Sequence, residues 1–161
     1  MADVSVRTAR PGDAKAILDV KQTAITELSA SAYTQEQIVA WAPSGDALAE
    51  YRKATETDSF QVLVACDGEQ IIGYGVLNAG ESRIEALFVH PSRARSGVGT
   101  QLLGQLEVSA MFVGCRELTV ISSRNATGFY ISNGYAPTKK RSRELNGVKL
   151  RFIELFKQMP D

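Results

Sequence analysis

The chain reads as a mixed α/β domain, a mostly antiparallel twisted sheet of about seven strands flanked by helices, and three observations predict it. Short runs rich in β-branched and aromatic residues recur along the sequence, and Asp67-Gly68 and Asn146-Gly147 stand between neighbouring runs as hairpin signals. A long amphipathic stretch beginning near Val98 separates the runs Ser82–His90 and Glu117–Ile121, and a helical crossover sets two such strands parallel. Helical periodicity also fills the chain between the first two runs.

Taken in order, Val4 to Thr8 alternates as the first strand, and Arg10-Pro11-Gly12-Asp13 ends it. A helix follows from near Ala14, with Ile17, Leu18, Lys21, Ile25 and Leu28 as its buried stripe; the lysine is the residue that does not belong there. Thr34 and Gln37 have the spacing of a capping box for a second helix, TQEQIVAWA, which stops before Pro43. A third helix is predicted from about Gly45 to Thr55. Phe60–Cys66 and Gln70–Leu77 pair across Asp67-Gly68, Asn78 to Glu81 turns the chain, and Ser82–His90 completes a meander. Val98, Leu102, Leu103, Leu106 and Ala110 fall on one face of the crossover helix, which Gly114 caps. Phe129, Tyr130 and Ile131 lie in a short helix closed by Asn133-Gly134. Ala136–Glu144 and Val148–Phe156 then form the last hairpin.

At 161 residues the chain has the length of one domain with a single core. Its 18 basic and 18 acidic residues cancel, so no global field favours a nucleic acid or a membrane surface. No apolar run reaches the length of a membrane span, and the N-terminus carries no signal pattern, which makes a cytoplasmic protein the expectation. Cys66 and Cys115 lack the spacing of a zinc site or a disulfide scaffold and read as free thiols, so no metal is expected.

The chemistry concentrates between Arg83 and Glu107. The strand there stops at Pro91, which cannot donate to a ladder, and a basic, glycine-bearing loop from Ser92 to Gly99 opens the crossover helix. Unpaired amides and the helix dipole make such a helix start a seat for phosphate. Arg93 and Arg95 add charge, Gly97 and Gly99 let the backbone come close, and Ser96 or Thr100 offers a hydroxyl. The pattern is not GxxxxGK[ST], and Gly97-Val98-Gly99 lacks the third glycine of a dinucleotide fingerprint.

HPSRARSGVGTQLL resembles the coenzyme A loop, Q/R-x-x-G-x-G/A, of the GCN5-related N-acetyltransferases, the GNAT superfamily. Gly97 and Gly99 match its glycine positions, while Ala94 stands where glutamine or arginine is usual. SAYTQEQIVAWA and IEALFVHPSRARSGVG are similar to the YafP-like branch of that superfamily. The resemblance implies acetyl-CoA as cosubstrate, with the coenzyme diphosphate on the backbone of the loop, Val98 included. It also implies a splayed parallel pair of central strands, with the pantetheine arm lying against Leu87, Phe88 and Val89 as a surrogate strand.

FYISNGY is similar to the family's FYxxxGF/Y element, which puts Tyr130 near the coenzyme sulfur as the acid that protonates the leaving thiolate. The asparagine that bonds the pantetheine in relatives corresponds to Ser123 or, two positions displaced, Asn125. Many relatives carry a glutamate where this chain has Arg83; Glu85, one residue pair later, is the candidate base or else a surface carboxylate. His90, the only histidine, is a solvated ring or a second candidate base. Tyr33 and Trp41 lie in the region where relatives build the acceptor side of the cleft, and either line that cavity or belong to the core. The implied activity is transfer of an acetyl group to a primary amine by direct attack, in a protein that forms a homodimer in many relatives. The rival reading is a non-catalytic acyl-CoA sensor.

Overall fold

Turn chemistry sets the register of the sheet. In the computed structural model, which describes residues 4–42 and 60–160, the strands are β1 (Val4–Thr8), β2 (Phe60–Asp67), β3 (Gln70–Asn78), β4 (Arg83–Val89), β5 (Glu117–Ser123), β6 (Ala136–Leu145) and β7 (Val148–Gln158). Between β6 and β7, Asn146 and Gly147 both take positive φ, 50° and 79°, the geometry of a two-residue hairpin turn. Between β2 and β3, Asp67 itself pairs with Gln70, so the turn residues are Gly68 and Glu69, one step later than the Asp-Gly signal implies.

The seven strands form one sheet in the order β1-β2-β3-β4-β5-β7-β6, antiparallel except for β4 beside β5. Helices α1 (Ala14–Leu28) and α2 (Gln35–Trp41) cover one face; α3 (Val98–Phe112) and the short α4 (Thr127–Ser132) cover the other. Strand alternation explains how both faces are apolar: Val62 and Val64 pack toward α1, while Leu63 and Ala65 pack toward α3. Leu102, Leu103 and Leu106 of α3 are fully buried, each contributing about 1.5–3 kcal/mol of burial.

Thr34 and Gln37 form the expected capping box, with Gln37 N–H donating to Thr34 Oγ1 at 3.2 Å and Thr34 N–H to Gln37 Oε1 at 2.9 Å. The stripe of α1 is rotated from the predicted one. Ala14, Ile17, Val20, Ala24 and Ile25 are buried, Leu18 is half-buried and Leu28 is exposed, because it is Ile17 and Val20 that pack against Val62, Val64 and Tyr74 of the sheet. The third helix predicted from about Gly45 to Thr55 lies outside the described residues.

The feature that positions the site is the seam between β4 and β5. Only Arg83 with Thr119 and Ile84 with Val120 pair across it. At the same point the β3–β4 register breaks: Val76 pairs with Ala86 and Leu77 with Ile84, leaving Glu85 as an extra residue on β4. A bulge of this kind bends its strand and increases its twist, which carries β4 away from β5.

Candidate active site

β4 delivers the chain into a tight loop. His90 Nδ1 accepts the Ser92 N–H at 3.1 Å and caps a single turn of 3-10 helix, Pro91–Arg93, and Ser96 Oγ donates to the Arg93 carbonyl. Arg95 and Gly97 both have positive φ, 62° and 89°, and α3 starts immediately after Gly97. Two left-handed residues this close together turn successive peptide N–H groups toward one side. Among the described residues, the amides of residues 95–100 donate to no other backbone or side-chain group. Such a row of unpaired donors at a helix start is an anion seat. A Cβ on Gly97 would meet nothing within 4 Å, whereas one on Gly99 would lie 3.2 Å from the Phe129 ring, so Gly99 is what lets α4 approach the loop.

The two loop arginines have different surroundings. Arg93 forms an ion pair with Asp67 at the end of β2, whereas Arg95 makes no ion pair among the described residues. Val98 is buried against Leu102, Ala65 and Ile72, so it presents only its amide to the loop side.

Two cavities flank the open seam. One, of about 460 Å³, lies over the loop and is lined by Val89, Arg95, Gly97, Thr100, Asn125 and Phe129 among others. The second, of about 240 Å³, lies on the α1–α2 face; its wall includes Lys21, Trp41, Glu85, Phe88, Arg143 and Phe152. Leu87, Ala126 and Tyr130 line both. The cavities therefore meet where β4 and β5 have parted.

Tyr130 stands at that junction. Its ring packs edge-on against Phe129 and Tyr135, with centroids 5.1 and 5.6 Å away. Its hydroxyl makes no hydrogen bond among the described residues, and none of their side-chain polar atoms is both sealed from solvent and unpaired. Burial pushes the phenol pKa well above its usual value, so the group keeps its proton throughout the neutral range. Neighbouring Tyr135 is satisfied instead, donating to Glu107 Oε2 at 2.7 Å, and Lys157 Nζ donates to the same oxygen at 3.0 Å. That cluster ties α3 to β7 beneath Tyr130.

Glu85, the bulge residue, turns its carboxylate to the wall of the smaller cavity. Asn78 Nδ2 donates to Glu85 Oε1 at 3.0 Å, and Arg83 reaches the same oxygen through Nε at 2.8 Å and Nη2 at 2.7 Å. One oxygen is thus heavily engaged. The other has no protein partner among the described residues.

The remaining predicted residues separate. Trp41 lines the smaller cavity and meets Phe152 edge-on at 5.6 Å and Phe88 at 6.2 Å. Tyr33 lies behind that wall, buried with Ile25, Ile38 and Leu150; its hydroxyl donates to the Arg151 carbonyl at 2.5 Å and accepts the Arg124 N–H at 3.1 Å. It fastens the turn after β5, helped by the Arg124 guanidinium, which stacks 4.7 Å over its ring and donates to the Ala32 carbonyl. Ser123 lines the smaller cavity and Asn125 the loop cavity, so the two are not equivalent. Leu87 borders both cavities, Phe88 the smaller and Val89 the larger. Phe152 and Arg124 carry no local sequence signal, because each joins the site through contacts distant in the chain, whereas Arg143 ends the short basic run from Lys139 and Asn78 opens the turn to Glu81. Lys21 carries one too, as the cation inside an apolar stripe.

A family model described as an acetyltransferase (GNAT) domain matches residues 29–154. The chain belongs to the GNAT acetyltransferase family. Among curated proteins it is 31% identical over 148 residues to the uncharacterized N-acetyltransferase YafP of Escherichia coli strain K12, covering 92% of this chain and 91% of that one. A crystal structure of a GCN5-related N-acetyltransferase from Rhodopseudomonas palustris superposes with a TM-score of 0.90 at 30% identity, covering 98% of this chain and 97% of the other. The PaiA N-acetyltransferase of Thermoplasma acidophilum, solved in complex with coenzyme A, shares the fold with a TM-score of 0.75 at 19% identity, over 97% and 99% of the two chains. As a GNAT N-acetyltransferase, the protein is an acyltransferase. Among the described residues no cluster of potential metal ligands occurs, and no helix is long and apolar enough to cross a membrane.

Proposed function

We propose that this GNAT enzyme transfers the acetyl group of acetyl-CoA to a primary amine, which attacks the thioester directly. One observation carries the reading: Leu87, Ala126 and Tyr130 line both cavities, so a group in one can touch a group in the other. The larger cavity, with its row of unpaired amides, suits the coenzyme, and the smaller suits the acceptor.

In this reading the amides of residues 95–100 hold the diphosphate, with Arg95 adding charge, while Arg93 acts through Asp67 to fix the loop. Leu87, Phe88 and Val89 offer the unpaired side of β4 to the amide-bearing pantetheine arm, and Asn125, which lines the larger cavity, is a polar side chain available to it. When bound, acetyl-CoA supplies an activated acyl group. The amine lone pair forms the new C–N bond as the C–S bond breaks, and a backbone N–H near Val89 stabilises the developing oxyanion. Tyr130, kept protonated by burial, gives its proton to the leaving thiolate. The free oxygen of Glu85 takes the proton that the amine loses, directly or through water. Trp41, Phe88 and Phe152 exclude bulk water from the acceptor.

The test is release of free thiol from acetyl-CoA across a panel of primary amines. Acceleration by at least one amine supports the reading. Coenzyme binding without thiol release by any amine would instead make the chain an acyl-CoA sensor.

A further inference from the structure

Two cationic side chains are among the described residues that line the smaller cavity, and acetyl transfer requires neither. Lys21, from the otherwise apolar stripe of α1, and Arg143, from β6, both line it, and Glu85, the one carboxylate among its described lining residues, is paired with Arg83. Lys139 and Arg141, on the same face of β6, both pair with the single carboxylate of Glu154. Arg143 does not: among the described residues it has no ion-pair partner. The Lys21 ammonium lies 5.9 Å from the centroid of the Phe88 ring, on the aromatic wall formed with Trp41 and Phe152. A lysine and an arginine from unconnected elements, turned into one small aromatic cavity, match an oxyanion on a compact apolar body.

Resting on the acetyltransferase reading above, we propose that the acceptor is a small amine that also carries a carboxylate, an amino-acid-like molecule whose carboxylate is bound by Lys21 and Arg143 while its amine faces the seam at Leu87 and Tyr130. The volume of about 240 Å³ fits a single amino acid better than a peptide or a polyamine. The aromatic wall favours an apolar side chain on it.

Two matched sets of probes test this: leucine, its methyl ester and isopentylamine; and phenylalanine, its methyl ester and 2-phenylethylamine. The readouts are KM in the thiol-release assay and, independently of turnover, the rise in Tm that each probe gives the coenzyme-A-bound protein. The free acid of at least one set should show a KM about tenfold or more below those of its ester and decarboxylated amine, with the largest rise in Tm. Lys21→Met, which keeps the apolar stem, and Arg143→Gln, at an exposed position where folding is not at risk, should each erase most of that difference. Thiol release without a preference for the acid, or a preference that survives both substitutions, overturns the proposal and leaves the acetyltransferase reading standing. An acid-dependent rise in Tm that needs Lys21 and Arg143, with no thiol released by any amine, keeps the carboxylate site but overturns its acceptor role together with that reading. No rise in Tm and no turnover with any probe overturns the proposal.

Discussion

Ile84 pairs with Val120, and beyond that pair β4 and β5 no longer bond to each other. The next residue, Glu85, is the one that β3 skips, so a single bulge both opens the seam and sets the candidate base at the smaller cavity. Glu85→Gln should keep the bond from Asn78 and lose the proton acceptor. Its kcat/KM should fall about 10–100-fold at pH 7 and recover as the pH nears the amine's own pKa, about 10 for an alkylamine. A pH–rate profile parallel to that of the wild type would remove Glu85 as base.

Tyr130→Phe removes a hydroxyl that no group among the described residues uses, so the fold should tolerate it. Turnover should fall by about 10²–10⁴-fold, while acetyl-CoA affinity stays within about threefold. Because burial raises the phenol pKa, the O–H form persists above pH 10, and the wild-type rate should show no alkaline fall before then on account of this group. Isothermal titration and the pH–rate profile check both parts.

Tyr33 illustrates what the sequence could and could not reveal. The strands, the hairpin turns, the capping box and the loop from Arg95 to Thr100 rest on contacts between near neighbours, and local pattern displays them. Tyr33 meets Arg151 and Arg124 across 118 and 91 residues, so nothing local marks it as a fastener behind the cavity rather than a lining residue. Arg93 looks like a phosphate ligand until β2 brings Asp67 beside it. Ser123 and Asn125 are two positions apart, yet the turn after β5 sends them to different cavities. Lys21 was visible as an anomaly in its helix, but its use depends on which cavity α1 covers.

Tyr33→Phe should therefore lower stability rather than chemistry alone. It strips a partner from the Arg124 N–H and the Arg151 carbonyl, at a cost of about 1–3 kcal/mol, or roughly 2–10 °C in Tm. An unchanged Tm in a thermal scan would mean that water replaces the hydroxyl without loss.

Asp13 accepts from Arg7 at 2.8 and 3.1 Å, and this pairing holds its carboxyl below the usual aspartate range. A lowered folded-state pKa stabilises the fold above the unfolded value, near 3.9, and that stabilisation is lost as the pH falls through the folded value. Since Arg7 is partly solvated, the effect should be about 1 kcal/mol or less. Asp13→Asn should lower Tm slightly at pH 7 and progressively less below pH 4, as pH-dependent thermal scans would register.

The central claim is that the amides of residues 95–100 and the unpaired side of β4 hold two different parts of one coenzyme. Backbone amide NMR during titration with pantetheine and then with coenzyme A tests it most directly. Pantetheine alone should shift the amides of Leu87 to Val89 and leave residues 95–100 where they were; coenzyme A should shift both groups and protect the latter from exchange. Coenzyme A binding that leaves residues 95–100 unperturbed would contradict the account.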